Sequence, residues 1–172
     1  MLCSFHFCDF WSDLSNPLGA LVRIIPNRDP EGSGYEPAPD NPFVNADGAD
    51  PAIYAYGLRS PWKAFLDNQG RYWVGDVGAD AFEEIDLITG PSQNFGWPEV
   101  EGFCHQDCEG MADPLTVWGH DDDDDYIADD DDAVPTAARV AWVGVQYQDD
   151  GADPYQGALT GKTLFGDYCL GF

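Results

Sequence analysis

Glycine and proline recur along the whole chain and divide it into short segments, and this spacing constrains the fold more than any other feature. The sequence contains 19 glycines and 13 prolines among 172 residues. No stretch of roughly ten residues or more shows the 3.6-residue apolar period of an amphipathic helix. Short apolar and aromatic runs instead alternate with turn residues, which predicts an all-β fold with long loops and little helix.

Seven strands are predicted, at residues 20–25, 52–58, 63–67, 71–78, 83–88, 139–148 and 162–168. The third and fourth form a hairpin because a short Asn-Gln-Gly connection joins two aromatic-rich runs. We assign Lys63 and Arg71 to the solvent face of this hairpin. The proline-rich passage at residues 26–50 has no periodicity and is predicted to be a loop.

The chain is strongly acidic, with a formal net charge of −25. Its field repels phosphate, so we exclude nucleic acid as a partner and disfavour anionic membrane surfaces. No apolar run approaches the roughly 20 residues that cross a bilayer. The acidic stretch at residues 120–133 fits an EF-hand loop in part, but Tyr126 occupies the turn-glycine position and Asp132 replaces the bidentate Glu. We interpret this stretch as a solvated loop.

The cysteine number is odd, so at least one thiol is free or pairs outside the chain: Cys3, Cys8, Cys104, Cys108 and Cys169. A short polar loop separates Cys104 from Cys108, which predicts a disulfide between them. The alternative is a zinc site that includes His105, but a second ligand pair at metal-like spacing is absent. A disulfide would indicate an oxidising compartment.

Several motifs in a fixed order carry a family resemblance. The tracts "IYAYGLRSPW", "GRYWVGDVGADAFEEIDLI" and "NFGWPEVEG" closely resemble the glucose/sorbosone dehydrogenase family, the quinoprotein sugar dehydrogenases. Members read Gly-x-Arg-Asn-Pro, Gly-Asp-Val-Gly, Glu-Glu-Ile-Asn or -Asp, and Asn-Tyr-Gly-Trp-Pro. The upstream "LGALVRIIP" and the downstream "GALTGKTLFGDYCLG" are also similar to family segments. The resemblance spans residues 19–172, and residues 1–18 lie outside it as a ragged amino-terminal segment.

The resemblance implies part of a six-bladed β-propeller, about two blades, because a whole member is more than twice as long. A partial ring would expose open edges, through which self-association is expected. The parent enzyme is expected to oxidise aldose- or sorbosone-type sugars with pyrroloquinoline quinone and Ca2+. It would pass electrons to an acceptor in an extracellular or periplasmic setting. The alternative is a non-catalytic propeller binding module similar to hedgehog-interacting proteins.

The same resemblance implies a cofactor-binding role for Arg59, Ser60, Pro61 and Trp62. Pyrroloquinoline quinone is a tricarboxylate, and an arginine can bind a carboxylate with two hydrogen bonds. Ser60 stands where family members have Asn. The alternative is that Arg59 is a structural residue that pairs with Glu83 or Glu84.

A calcium site is also implied. Glu84 aligns with the family's calcium carboxylate and the carbonyl of Phe95 with a second ligand, while Gly78 and Ala79 align with main-chain oxygens near a cofactor-bridging calcium. Because side chains alternate along a strand, Glu83 is expected to face away from this site.

No catalytic residue is assigned on this chain. In the family, a histidine from the amino-terminal half is the general base, and the three histidines present lie outside the expected positions: His6, His105 and His120. The sequence therefore predicts part of a cofactor site without an identifiable base, which leaves open whether this chain alone is an enzyme.

Overall fold

The computed structural model describes residues 13–28, 34–120, 140–149 and 151–168. These ranges contain ten strands and no helix, which confirms the predicted all-β class. A helix long and apolar enough to cross a membrane is accordingly not found among them. The strands are β1 Leu21–Val22, β2 Ile24–Pro26, β3 Tyr35–Pro37, β4 Ile53–Ala55, β5 Pro61–Leu66, β6 Tyr72–Asp76, β7 Phe82–Ile88, β8 Thr116–Gly119, β9 Ala141–Gln146 and β10 Thr163–Asp167.

The first of two compact units comprises the described residues of Met1–Pro61 and Gly90–Asp113. It contains two small antiparallel sheets, in which β1 pairs with β4 and β2 pairs with β3. The side chain of Asn41 joins the β1–β2 junction to the segment before β4, because its Nδ2 donates to the carbonyl oxygens of Arg23 at 2.8 Å and Pro51 at 3.0 Å. Ile53 and Leu58 are fully buried in this unit.

The predictions for residues 20–25 and 26–50 were partly wrong. Residues 20–25 do not form one strand, because Arg23 interrupts it: its N–H donates to Ala52 O at 2.8 Å, while its carbonyl accepts from Ala38 N at 3.1 Å. The chain therefore changes partner between β1 and β2. The predicted loop at residues 26–50 contains β3, which is too short to show alternation and forms by pairing with β2.

The second unit comprises the described residues of Trp62–Thr89 and Pro114–Phe172. Its main sheet has four strands in the order β5-β6-β7-β8, with β6, β7 and β8 antiparallel. Four strands in sequence order are the arrangement of a propeller blade. The last of them, β8, was not predicted from the sequence.

A two-stranded antiparallel sheet of β9 and β10 packs against one face of the four-stranded sheet. The buried side chains between them are Ile85, Trp118, Ala141 and Val143. A Cβ on Gly75 would lie 2.9 Å from Trp142 Cα, so only glycine allows this close approach. Asp167 fixes β10 in place because its Oδ2 accepts from Val140 N at 3.0 Å.

The β5–β6 hairpin turn is built on the buried carboxylate of Asp67. It accepts hydrogen bonds from Gln69 N and Arg71 N, both at 2.9 Å, from Arg71 Nε at 2.7 Å and from Trp73 Nε1 at 3.0 Å. Arg71 is therefore a partner of Asp67 and not simply a solvent-facing charge. Lys63, the other predicted surface cation, places its Nζ 5.4 Å from the ring centroid of Trp142.

Candidate functional site

In the first unit, two loops that contain separate sequence motifs are hydrogen-bonded side by side. Phe95 N donates to Tyr56 O and Trp97 N donates to Gly57 O, both at 2.9 Å. Gly57 has φ +75°, and a Cβ there would lie 2.7 Å from the backbone nitrogen of Gly96. Because Gly57 has no Cβ, the "YGLRSP" and "NFGWP" segments can pack side by side.

Arg59 lies at the meeting point of these two segments. Its guanidinium carbon is 5.6 Å from the ring centroid of Trp97, a cation–π distance. Arg59 is half-buried, whereas Ser60 and Pro61 are exposed. Trp62, the fourth predicted cofactor residue, is 70% exposed and begins the second unit. The contact between Arg59 and Trp97 was not predicted from the sequence.

In the second unit, Glu84 lies in a cluster with two carboxylates that the sequence analysis did not assign. Asp76 pairs directly with Glu84 across the β6–β7 ladder, and Asp86 is two residues further along β7. One carboxylate oxygen of each residue lies within 4.8 Å of the others, and all three residues are buried. The signal was present in the sequence, since alternate residues of a strand share a face.

Asp86 is the most unusual member of this cluster. Both of its carboxylate oxygens are buried, and neither has a hydrogen-bond partner among the described residues. Burial raises the pKa of Asp86 well above its ordinary value, and the negative charges of Asp76 and Glu84 raise it further. Several close carboxylate oxygens are the donor set that hard cations such as Ca2+ bind.

Glu83 faces the opposite side of β7, as alternation requires. Its Oε1 lies 2.6 Å from His120 Nε2, and its Oε2 accepts a hydrogen bond from Ala141 N at 2.6 Å. Burial raises the pKa of Glu83, while the bonds from Ala141 and His120 oppose the rise. Glu83 therefore joins β7 to β9 and to the end of β8. No local sequence signal could have paired it with His120.

The remaining predicted ligand positions lie in different units. Gly78 is buried and Ala79 half-buried, just after β6 in the same unit as Glu84. Phe95 is buried in the first unit.

The structure joins Cys104 and Cys108 by a disulfide with a Cα–Cα distance of 5.8 Å. This confirms the predicted pairing and excludes both thiolates as zinc ligands while the bond is formed.

The class of this protein is defined by its strands and by its match to solved propellers. The pyrroloquinoline quinone-bound aldose sugar dehydrogenase of Streptomyces coelicolor matches 67% of this chain with a TM-score of 0.52 and 31% identity. The chain is accordingly all-β and forms part of a β-propeller. The family model for glucose/sorbosone dehydrogenase matches residues 10–122. The chain belongs to the glucose/sorbosone dehydrogenase family.

Two curated relatives are similar over shorter stretches. The HIPL1 protein of Arabidopsis thaliana is 32% identical over 105 residues, which cover 55% of this chain and 15% of that protein. The aldose sugar dehydrogenase YliI of Escherichia coli (strain K12) is 31% identical over 87 residues, or 50% of this chain and 21% of that protein. The chain likewise covers 30% of the S. coelicolor structure. It thus spans less than a third of each of these proteins.

Proposed function

We propose that this chain is part of an extracellular or periplasmic quinoprotein oxidoreductase that oxidises aldose- or sorbosone-type sugars with pyrroloquinoline quinone and Ca2+. The family match and the quinone-bound relative support the reaction class. The parent protein passes the electrons on to a separate acceptor.

The contact between Arg59 and Trp97 is the observation that carries this proposal. The quinone supplies the two-electron oxidant, and its carboxylates require cationic partners. Arg59 binds one of these carboxylates through its planar guanidinium group, which the Trp97 ring orients. Ser60 supplies a hydroxyl group beside it, while Pro61 and Trp62 add exposed apolar surface next to the cofactor.

The calcium of the proposed function is bound near Glu84. The residues present fit this ion, because Asp86 has two buried oxygens without a hydrogen-bond partner among the described residues, close to Glu84. The carbonyl oxygens of Gly78 and Ala79, in the same unit as Glu84, are the further ligands that we propose, and a role for the Phe95 carbonyl stays a prediction from the family resemblance. Hard main-chain oxygens and carboxylates together are typical calcium ligands.

The general base of the parent enzyme is not assigned to this chain. Among the described histidines, His120 is held by Glu83 at 2.6 Å, and His105 lies exposed within the disulfide loop. We propose that the base belongs to a part of the parent protein outside these 172 residues.

Self-association is proposed through the apolar surface of β9 and β10. Val145 is 65% exposed, and Leu164 and Phe165 are each 44% exposed. Apolar side chains along a two-stranded sheet favour contact with another strand.

A quinone titration tests the proposed function. We expect quinone to quench the tryptophan fluorescence of the full chain in the presence of Ca2+. Arg59→Gln should weaken binding by about 10- to 100-fold, the equivalent of losing a charge-assisted hydrogen bond. Lys63→Gln is the matched control and should bind like wild type. Equal affinities for wild type and Arg59→Gln would contradict the proposal.

The second candidate function is a non-catalytic propeller binding module, which the similarity to the HIPL1 protein favours. The same titration separates the two candidates. A binding module without a cofactor should show no saturable response to the quinone, with or without Ca2+.

A further inference from the structure

Three buried carboxylates share one face of the β6–β7 ladder. Asp76 and Glu84 are directly paired residues, and Asp86 follows Glu84 by two positions, so it returns to the same face. Directly opposite and diagonal neighbours on one face are within reach of each other's side chains. One oxygen of each carboxylate lies within 4.8 Å of the other two, and backbone pairing, not a loop, positions the three residues.

The carboxylate of Asp86 is unfavourable in this arrangement unless a group outside the described residues binds it. Like charges on directly opposite strand positions destabilise a sheet, and an uncompensated buried carboxylate is costly. The buried carboxylates of this unit that lie outside the cluster have donors: Asp67 has Arg71 and Trp73, Glu83 has His120 and Ala141, and Asp167 has Val140 and Trp118. Asp86 lacks such a donor among the described residues.

We propose that Asp76, Glu84 and Asp86 together bind one Ca2+ ion, with Asp86 as a direct ligand. The proposal rests on the proposed function only for the choice of ion, and it adds two ligands, Asp76 and Asp86, to Glu84. Three carboxylates can supply up to about six oxygens, which suits the six to eight ligands of Ca2+ better than the hydrated octahedron of Mg2+. The ion offsets the repulsion among the three carboxylates.

Calcium binding to the full chain tests this inference without quinone or sugar. We expect Ca2+ to raise the thermal midpoint of the wild-type chain, because it binds the folded state. Asp86→Asn and Asp76→Asn should each weaken Ca2+ affinity by at least tenfold, as measured by calorimetric titration. Glu83→Gln is the matched control, since it changes a buried carboxylate of the same strand on the opposite face. It should keep wild-type affinity.

A second readout separates a ligand from a residue that only supports the fold. Without Ca2+, Asp86→Asn should melt no lower than wild type, because it removes a buried carboxylate that has no hydrogen-bond donor among the described residues. A structural role predicts a lower midpoint with and without Ca2+. That result, or unchanged Ca2+ affinity in both asparagine variants, would overturn the proposal.

A deletion variant keeps the proposal testable even if the asparagine variants do not fold. A chain lacking residues 121–125 should still bind one Ca2+ per chain, and failure to bind would overturn the proposal. Failure of the proposed function gives a different result. If the chain binds Ca2+ through Asp86 but does not bind quinone, the proposed quinone cofactor is wrong and the proposed Ca2+ site stands.

Discussion

Replacing Gly57 by alanine should separate the two segments that position Arg59. The backbone at Gly57 has φ +75°, which costs an alanine about 1–2 kcal/mol. The new Cβ would lie 2.7 Å from Gly96 N and 2.8 Å from Phe95 N. These are backbone atoms that cannot rotate away, so we add an overpacking cost of about 1–3 kcal/mol. The expected loss of unfolding free energy is about 2–5 kcal/mol.

Gly70 provides the matched control for this experiment. It has φ +80°, but a Cβ there would have no atom within 4 Å. Gly70→Ala should therefore cost only the conformational part, about 1–2 kcal/mol. Urea unfolding followed by tryptophan fluorescence gives both values from the shift in midpoint. If the two variants lose the same free energy, the argument that close packing of the two segments requires Gly57 is wrong.

Three further predictions concern stability and activity. Hydrogen bonds from Trp73 and Arg71 outweigh the effect of burial and hold the pKa of Asp67 well below its ordinary value. The contribution of the Asp67 carboxylate to stability is therefore present above about pH 4 and is lost as the pH falls. Asp67→Asn should therefore unfold in less urea at neutral pH and lose less stability than wild type on acidification; an identical acid response would contradict this. Glu83→Ala leaves the Ala141 N–H without its acceptor and should lower the unfolding free energy by about 2 kcal/mol or more. Glu83→Gln keeps an acceptor oxygen and should lower it less. Equal losses of unfolding free energy in urea would argue against the role of this carboxylate. The isolated chain with added quinone and Ca2+ should not reduce a dye with glucose, and turnover clearly above that of quinone alone would show that a base is present.

Local patterns predicted the parts of the fold that depend on neighbouring residues. The Asn-Gln-Gly turn predicted the hairpin of β5 and β6. Alternation of charged and apolar residues in "EEIDLI" predicted β7 and the opposite orientations of Glu83 and Glu84. β3 and β8 were missed because each is too short to carry a periodic signal, and β8 also pairs with a strand that lies far from it in sequence.

The candidate site likewise contains residues that were assigned from the sequence and contacts that were not. Arg59 and Glu84 were assigned through the family resemblance, and those roles remain proposals. The Trp97 contact and the pairing of Glu83 with His120 join residues 38 and 37 positions apart, so no window of sequence contains either. Asp76 and Asp86 could have been found, because pairing the strands on either side of the "GADA" turn places both on the face of Glu84.

The most direct test of the proposed function is a crystal structure of the chain grown with pyrroloquinoline quinone and Ca2+. Our account predicts a quinone carboxylate within hydrogen-bonding distance of the Arg59 guanidinium, with the cofactor beside Trp97. It also predicts a Ca2+ ion among the side chains of Asp76, Glu84 and Asp86. A crystal at saturating quinone with the cofactor elsewhere, or with no cofactor near Arg59, would contradict it.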